Sequence, residues 1–203
     1  MYENYGSIPS FKVIMLGDSG VGKTSIVLRR TKGSFTFQMN PTIGTSHIKT
    51  NVKINEQTVE LKIWDTAGQE QFASLVSMYT RGTDVCIIVA SVVDESSIQS
   101  IDKWKNRLNE TGEFPPIIIA LNKIDMEESS EEITILSEKF SSQYNNVIFV
   151  SAKTGEGIDS LFISAAEEAL RSAQASQQKD TENPPPSDIT LREEENKCSC
   201  SQA

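Results

Sequence analysis

The chain has 203 residues, 37% hydrophobic and 23% charged, a length and balance that suit one globular domain with a tail. A formal charge of −9 excludes the basic footprint of a general nucleic-acid binder, and a single histidine leaves no room for a His-rich metal site or His-pair catalysis. No run of about 18 apolar residues is present, and the start MYENYGSIPS lacks both the basic region and the apolar stretch of a secretory signal. Tyr2 stands where N-myristoylation needs glycine, and three scattered cysteines do not make a disulfide framework, so a cytosolic compartment is expected.

FKVIML (11–16) reads as a buried strand, followed by a helical stretch near 22–31. IKTNVKIN (48–55) alternates with a period of two, as a half-exposed strand does, and NEQ joins it to TVELKIW as a hairpin. VCIIVA (85–90), PIIIAL (116–121) and NVIFVS (146–151) read as further buried strands, with Cys86 a small buried residue. Helical stretches fall near 95–110, 131–143 and 158–172. This alternation predicts an α/β fold: a six-stranded, mostly parallel sheet with one antiparallel edge strand and helices on both faces. Beyond Arg171 large apolar residues become rare and a PPP appears. The expected organisation is an N-terminal extension over 1–9, one domain over 10–172 and a disordered tail over 173–203, without internal repeats.

GDSGVGKT (17–24) fits G-x-x-x-x-G-K-[ST] where a predicted strand ends and a predicted helix opens. Its glycines let the backbone close around phosphate oxygens, so Ser19, Gly20, Val21, Gly22, Lys23, Thr24 and Ser25 form the expected cradle. Lys23 would set a point charge between the β- and γ-phosphates, and the Thr24 hydroxyl would ligate Mg²⁺. WDTAGQE (64–70) follows the next long strand. Asp65 is placed to hold Mg²⁺ through water, Gly68 to offer an amide to a γ-phosphate, and Gln69 to orient an attacking water.

In NKID (122–125), the Asp125 carboxylate can accept the N1–H and N2–H₂ of guanine, a donor pair that adenine lacks on that edge. Asn122 would brace the loop and the Lys123 stem would cover the base. SAK (Ser151, Ala152, Lys153) follows the last strand, with the Ala152 amide placed to meet guanine O6. Thr42, in NPTIG, could reach Mg²⁺ and γ-phosphate only in a GTP state, so losing that phosphate would release its loop and the AGQE loop together. Phe35 has two readings, an edge contact to guanine or a core aromatic. Each short motif is weak alone. Their order after consecutive strands carries the inference, because open α/β sheets bind ligands beyond the carboxyl ends of their strands.

GDSGVGKT, PTIG, WDTAGQE, NKID and SAK together resemble the Ras-superfamily small GTPases over residues 10–172. Trp64 before DTAGQE, the IG after Thr42 and the cysteine-bearing tail resemble the Rab branch. The short 126–150 segment has no room for the Rho insert, Tyr2 stands where Arf proteins rely on a glycine, and Ran-like proteins lack lipidated cysteines. GKTSIVLRRTKGSF and SLVSMYTRG are similar to the early-endosome subgroup.

The resemblance implies a P-loop NTPase G domain that binds and hydrolyses GTP with Mg²⁺. Lys23, Thr42 and Gln69 would carry the catalysis, cycling GDP and GTP states that recruit effectors in vesicular traffic. No insertion supplies an arginine in cis, so unaided turnover should be on the order of 10⁻⁴–10⁻³ s⁻¹. The implied partners are an exchange factor, a GTPase-activating protein, effectors and a prenylation escort or GDI-type chaperone, around a monomeric G domain. The implied place is the cytoplasm, with reversible attachment to the cytosolic face of intracellular membranes, endosomal ones among them. The effector surface would comprise Ile43, Gly44, His47, Trp64 and Tyr79.

Four departures bear on partners rather than nucleotide. His47 stands where Rabs carry the Phe of an aromatic triad with Trp64 and Tyr79. Gln71 replaces Arg, Thr80 replaces Tyr, and Ala90–Ser91 stand where YD is common. Two rival readings are a Rab-like scaffold with negligible hydrolysis and an ATP-using P-loop enzyme, the second opposed by Asp125.

The chain ends REEENKCSCSQA. Two cysteines without a nearby histidine fall short of a Zn²⁺ site, and a redox pair more often reads C-x-x-C. From residue 171 onward, Arg171, Lys179, Arg192 and Lys197 face six acidic residues, so no polybasic patch assists a single lipid. Prenylation of both Cys198 and Cys200 is the expected account. A C-a-a-X reading of CSQA on Cys200, and an unmodified tail, stay open.

Overall fold

The computed structural model describes residues 7–37, 42, 44–66, 76–126 and 130–182. In chain order the elements are β1 (Ser10–Leu16), α1 (Lys23–Lys32), β2 (Thr45–Ile54), β3 (Gln57–Thr66), α2 (Val76–Thr80) and β4 (Val85–Ser91). They continue with α3 (Glu95–Glu110), β5 (Ile117–Asn122), a 3-10 turn (Ile124–Met126), α4 (Ser130–Gln143), β6 (Val147–Phe149) and α5 (Ile158–Glu182). One sheet orders the strands β2-β3-β1-β4-β5-β6. Only the edge pair β2–β3 is antiparallel, as the hairpin reading expects.

Alternation along the central strands explains why both faces are covered. Val13 and Met15 of β1 join Val85, Ile87 and Val89 of β4 in a core closed by Ile26 and Val27 of α1 and Leu161 and Phe162 of α5. Ile14 and Leu16 point the other way, with Cys86, Ile88 and Ala90, into a core closed by Ile101, Trp104 and Leu108 of α3 and Phe140 of α4. All seven residues of β4 are therefore buried. A strand with apolar residues on both sides belongs in the middle of a sheet sandwiched by helices.

The hairpin differs because only one of its sides meets helices. Ile48, Val52 and Ile54 face the core, while His47, Lys49, Asn51 and Lys53 are exposed. Its turn has two residues rather than three: Gln57 already pairs with Ile54, and Asn55 takes φ 52°. Asparagine tolerates that left-handed conformation better than most side chains. β2 also starts earlier than its apolar alternation, since Thr45 pairs with Thr66.

Other elements depart from the sequence reading. The five residues of α2 are too few to show a helical period. β6 is three residues long, shorter than the apolar run that contains it. α5 continues to Glu182, so 173–182 is helical where a tail was expected. Ala173 still packs against the core, and the following Ala, Gln and Lys are good helix formers that need no packing to continue the turn. Among the described residues no helix is long and apolar enough to cross a membrane.

β1, β3, β4, β5 and β6 run the same way. Their carboxyl ends deliver Gly17, Thr66, Asn122 and the turn after Phe149 to one edge of the sheet. The site lies there.

Candidate functional site

α1 begins without a side-chain cap. Gly22 occupies the N-cap at φ 99°, and the first turn holds no acid. α3, by contrast, is capped by Asp94, whose carboxylate accepts from the Ser96 and Ser97 amides. The first amides of α1 and the positive end of its dipole are thus left for an external anion. Gly22 is required for two reasons: its backbone is left-handed, and a Cβ there would stand 2.3 Å from Asn122 Nδ2. At Gly17 a Cβ would meet the Val89 carbonyl oxygen at 2.2 Å, so only glycine lets the loop leave β1 this close to β4.

Lys23 is only 5% exposed, and its Nζ donates to the carbonyls of Gly17 at 2.7 Å and Asp18 at 2.8 Å. Burial lowers its pKa to about 8, against the opposing pull of the Asp65 and Asp18 charges. An ammonium has three hydrogens, so one stays free for a phosphate oxygen.

Thr24, Thr42 and Asp65 meet beside it. Thr24 Oγ1 donates to Asp65 Oδ2 at 2.6 Å and lies 2.8 Å from Thr42 Oγ1. Since the one Thr24 hydroxyl hydrogen goes to Asp65, Thr42 is the donor in the second bond. Asp65 is 1% exposed and its Oδ1 is buried without a hydrogen-bond partner among the described residues. Burial raises its pKa, while the Thr24 hydroxyl and the Lys23 charge oppose the rise. An orphaned buried carboxylate oxygen beside two hydroxyls is an all-oxygen donor set, which suits a hard divalent ion such as Mg²⁺. Among the described residues no group of three or more His, Cys, Asp or Glu could hold a metal. Any ion here would therefore complete its shell with phosphate and water oxygens, as Mg²⁺ commonly does.

Three loops are tied together on the opposite side of the cavity. Asn122, 1% exposed, donates from Nδ2 to the Val21 carbonyl at 2.8 Å and accepts the Ala152 amide on Oδ1 at 3.1 Å. Asp125 accepts the Ser151 hydroxyl on Oδ1 at 2.6 Å and pairs through Oδ2 with Lys153 Nζ at 3.3 Å. Asn122 does brace the loop. The Ala152 amide, however, is spent on Asn122 instead of pointing free toward a base. Ser151 and Val21 are buried beneath the surface and act on it through Asp125 and Asn122.

The other described residues predicted to bind nucleotide converge on one cavity of about 530 Å³, lined by Lys23, Thr24, Thr42, Asn122, Asp125 and Lys153 among others. Asp65 lies behind Thr24, and Gly44, His47, Trp64 and Tyr79 lie away from the cavity. Small-molecule sites commonly enclose about 300–1,000 Å³. Phe35 lines the cavity and also packs against the core. Gly68, Gln69, Ile43, Gln71, Cys198 and Cys200 lie outside the described residues.

Some participants carry no sequence signal. Arg29 of α1 donates from Nε to the Ala152 carbonyl at 2.7 Å and from its guanidinium to the Lys153 carbonyl, clamping the SAK turn. In sequence it is one more basic residue in a helix's last turn. Trp104 Nε1 of α3 donates at 2.8 Å to Oδ1 of Asp18, a variable position of the phosphate-loop pattern. Phe37 meets Phe35 edge-on at 5.1 Å, and Met126 joins it in the cavity wall. Phe37 and Met126 are both exposed apolar residues, an exposure that only the folded chain reveals.

A second cluster lies on the sheet. His47 pairs across the strands with Trp64, their rings 5.3 Å apart, and Trp64 contacts Tyr79 at 6.2 Å. Lys12 Nζ sits 5.0 Å from the indole. His47 thus takes the aromatic position despite its different chemistry.

The Ras family profile matches residues 12–171. The Ras-related protein Rab-7b of Paramecium octaurelia is 35% identical over 194 residues, 92% of each chain. The Ras-related protein Rab-5A of Dictyostelium discoideum is 36% identical over 167 residues, 80% of this chain and 82% of that one. The Ypt/Rab-type GTPase YPT7 of Saccharomyces cerevisiae is 36% identical, covering 93% of this chain and 96% of that one. Rab-7 and Rab-5 names occur at nearly equal identity, so this similarity does not single out a subgroup.

Proposed function

The chain belongs to the Ras family, as a GTP-hydrolysing switch of the Rab type in vesicle traffic, and from that premise we propose how its own residues carry the cycle. The supporting observation is the convergence of the phosphate loop, Thr42 and the NKID and SAK loops on one cavity, with Asp65 hydrogen-bonded to Thr24 in its wall. Asp125, oriented by Ser151 and Lys153, accepts the two guanine donors. The free amides of α1 and the third hydrogen of Lys23 hold the β- and γ-phosphate oxygens. Thr24, Thr42 and Asp65 would hold Mg²⁺, which would neutralise charge on those oxygens. Gln69 orients a water whose oxygen bonds to the γ-phosphorus as the bond to the β–γ bridging oxygen breaks, releasing GDP and phosphate. Departure of the γ-phosphate removes the charge that draws Thr42 inward, and the effector-facing loops relax with it.

A Rab-type GTPase works with exchange factors, activators and effectors. For this chain the effector contacts are Ile43, Gly44, His47, Trp64 and Tyr79. Prenyl groups on Cys198 and Cys200, handled by an escort and an extracting chaperone, attach it reversibly to cytosolic membrane faces.

Single-turnover hydrolysis by the purified chain tests the cycle. GTP should be cleaved at about 10⁻⁴–10⁻³ s⁻¹, EDTA should abolish cleavage, and GDP should displace bound nucleotide where ADP does not. Phosphate release that is absent with and without Mg²⁺ would leave a nucleotide-bound scaffold. The mass of the C-terminal peptide from its own cells tests the anchor. Two prenyl additions with SQA retained are expected, whereas an unmodified peptide would refute attachment through the tail.

A further inference from the structure

Among the described residues, the outward side of β2 and β3, with Lys12 at the start of β1, is open and basic, whereas Ile14 and Leu16 further along that side of β1 are covered by α3 and α4. Register places Lys12 of β1, Lys62 of β3 and Lys49 of β2 in one row across the sheet, and Lys53 stands two positions further along the same side of β2. Among the described residues, α1 and α5 make the main helix contacts to β2 and β3 and lie on the opposite, core-facing side, while Tyr79 of α2 meets Trp64 on the outward side. At one end the row meets the His47, Trp64 and Tyr79 cluster. Among the described residues one acid, Glu60, stands within the lysines, 3.4 Å from Lys49 and accepting the Ser10 hydroxyl at 2.8 Å. Asp84 and Glu113 act on Lys12 from the side of β4, and Lys49, Lys53 and Lys62 then stand against Glu60 alone among the described acids of this face, which leaves it net positive.

We propose that this face docks an acidic segment of a partner protein, its carboxylates opposite Lys49, Lys53 and Lys62 and an apolar side chain against the His47–Trp64–Tyr79 end. The proposal deepens the effector reading and rests on it for that aromatic end. Charge complementarity selects the occupant. The chain as a whole carries −9, so an acidic segment is repelled by most of the surface and attracted here. That contrast sets register and orientation even where exposed pairs add little affinity each. A partner protein fits better than an anionic bilayer because of Glu60. Its pKa is lowered, chiefly by the Ser10 hydroxyl, so it stays charged in the middle of the row. A bilayer presents a uniformly negative surface to it, whereas a polypeptide can place a donor there.

The probe is a fluorescent synthetic peptide of Glu and Asp with one Trp, titrated into the full chain loaded with a non-hydrolysable GTP analogue. Binding should weaken with salt, fall about tenfold in Lys49→Glu/Lys53→Glu, and persist in Lys49→Arg/Lys53→Arg. Intrinsic GTP hydrolysis should be unchanged in both variants, since neither lysine touches the cleft. No binding above a Gln/Asn peptide of the same length, or equal binding by the Glu variant, overturns the proposal. So does lysine-dependent binding to phosphatidylserine vesicles with none to the peptide, which would assign the face to a membrane. Lysine-dependent peptide binding that is equal with GDP and the GTP analogue would refute the effector reading and leave the docking face standing.

Discussion

Replacing Asn122 with alanine isolates the tie between the phosphate and base ends of the cavity. The change removes the bond from Nδ2 to the Val21 carbonyl at 2.8 Å and the bond from the Ala152 amide to Oδ1 at 3.1 Å. Val21 is 1% and Ala152 3% exposed, so water does not readily replace either partner. Each orphaned buried group costs about 1–3 kcal/mol, so the pair comes to about 2–6 kcal/mol. Neither bond belongs to the sheet, and the strands beneath keep their own cores. The cost therefore falls on the loops that would grip nucleotide. Even its lower end, about 2 kcal/mol, corresponds to about 30-fold faster GDP release. Stopped-flow dissociation of a fluorescent GDP analogue reads this directly, and urea unfolding with excess GDP reads the residual stability. A rate within threefold of wild type would refute the reasoning. It would mean that the SAK turn is held by other contacts, for which Arg29 on the Ala152 and Lys153 carbonyls is the candidate.

Three further outcomes follow from single contacts. Trp104→Phe keeps the ring in its core but deletes the donor to Asp18, a residue water can partly reach, so GDP dissociation should rise several-fold with a small change in Tm. A large loss of Tm with an unchanged rate would place the role of Trp104 in packing alone. In a Cys198→Ser/Cys200→Ser variant, Cys86 should resist a thiol reagent until the chain unfolds, because complete burial raises its pKa far above the ordinary thiol value. Rapid native labelling would contradict the buried central strand. Burial, then the hydrogen bond and charge of Asp102, push the Tyr144 pKa up to about 12. The native phenol therefore stays neutral above pH ~10, where the unfolded one ionises. Its contribution is complete below that pH and is lost as pH rises toward 12. Tyr144→Phe should show a shallower loss of stability across that window in urea titrations, and an unchanged slope would refute the assignment.

Short-range rules made much of this protein readable as sequence. A glycine-rich turn, a lysine and a hydroxyl at fixed offsets after an apolar run specify a phosphate cradle within eight residues, because backbone conformation and helix initiation there depend on near neighbours. Alternation within β1 and β4 disclosed a sheet covered on both faces for the same reason. Asp125 could be proposed from sequence because the donor pattern of guanine is chemistry independent of the fold, and the structure sets its side chain in the cavity wall. What needed tertiary structure spans long stretches of chain. Arg29 reaches carbonyls more than 120 residues away, and Trp104 reaches Asp18 across 86. The Ala152 amide chose Asn122 over a free position, a choice made only once β5 and β6 lay side by side. The row of Lys12, Lys62 and Lys49 likewise exists only through strand order and register. Propensity acts over a turn or two, whereas these contacts depend on which strands become neighbours, and that is decided by burying both faces of the sheet at once.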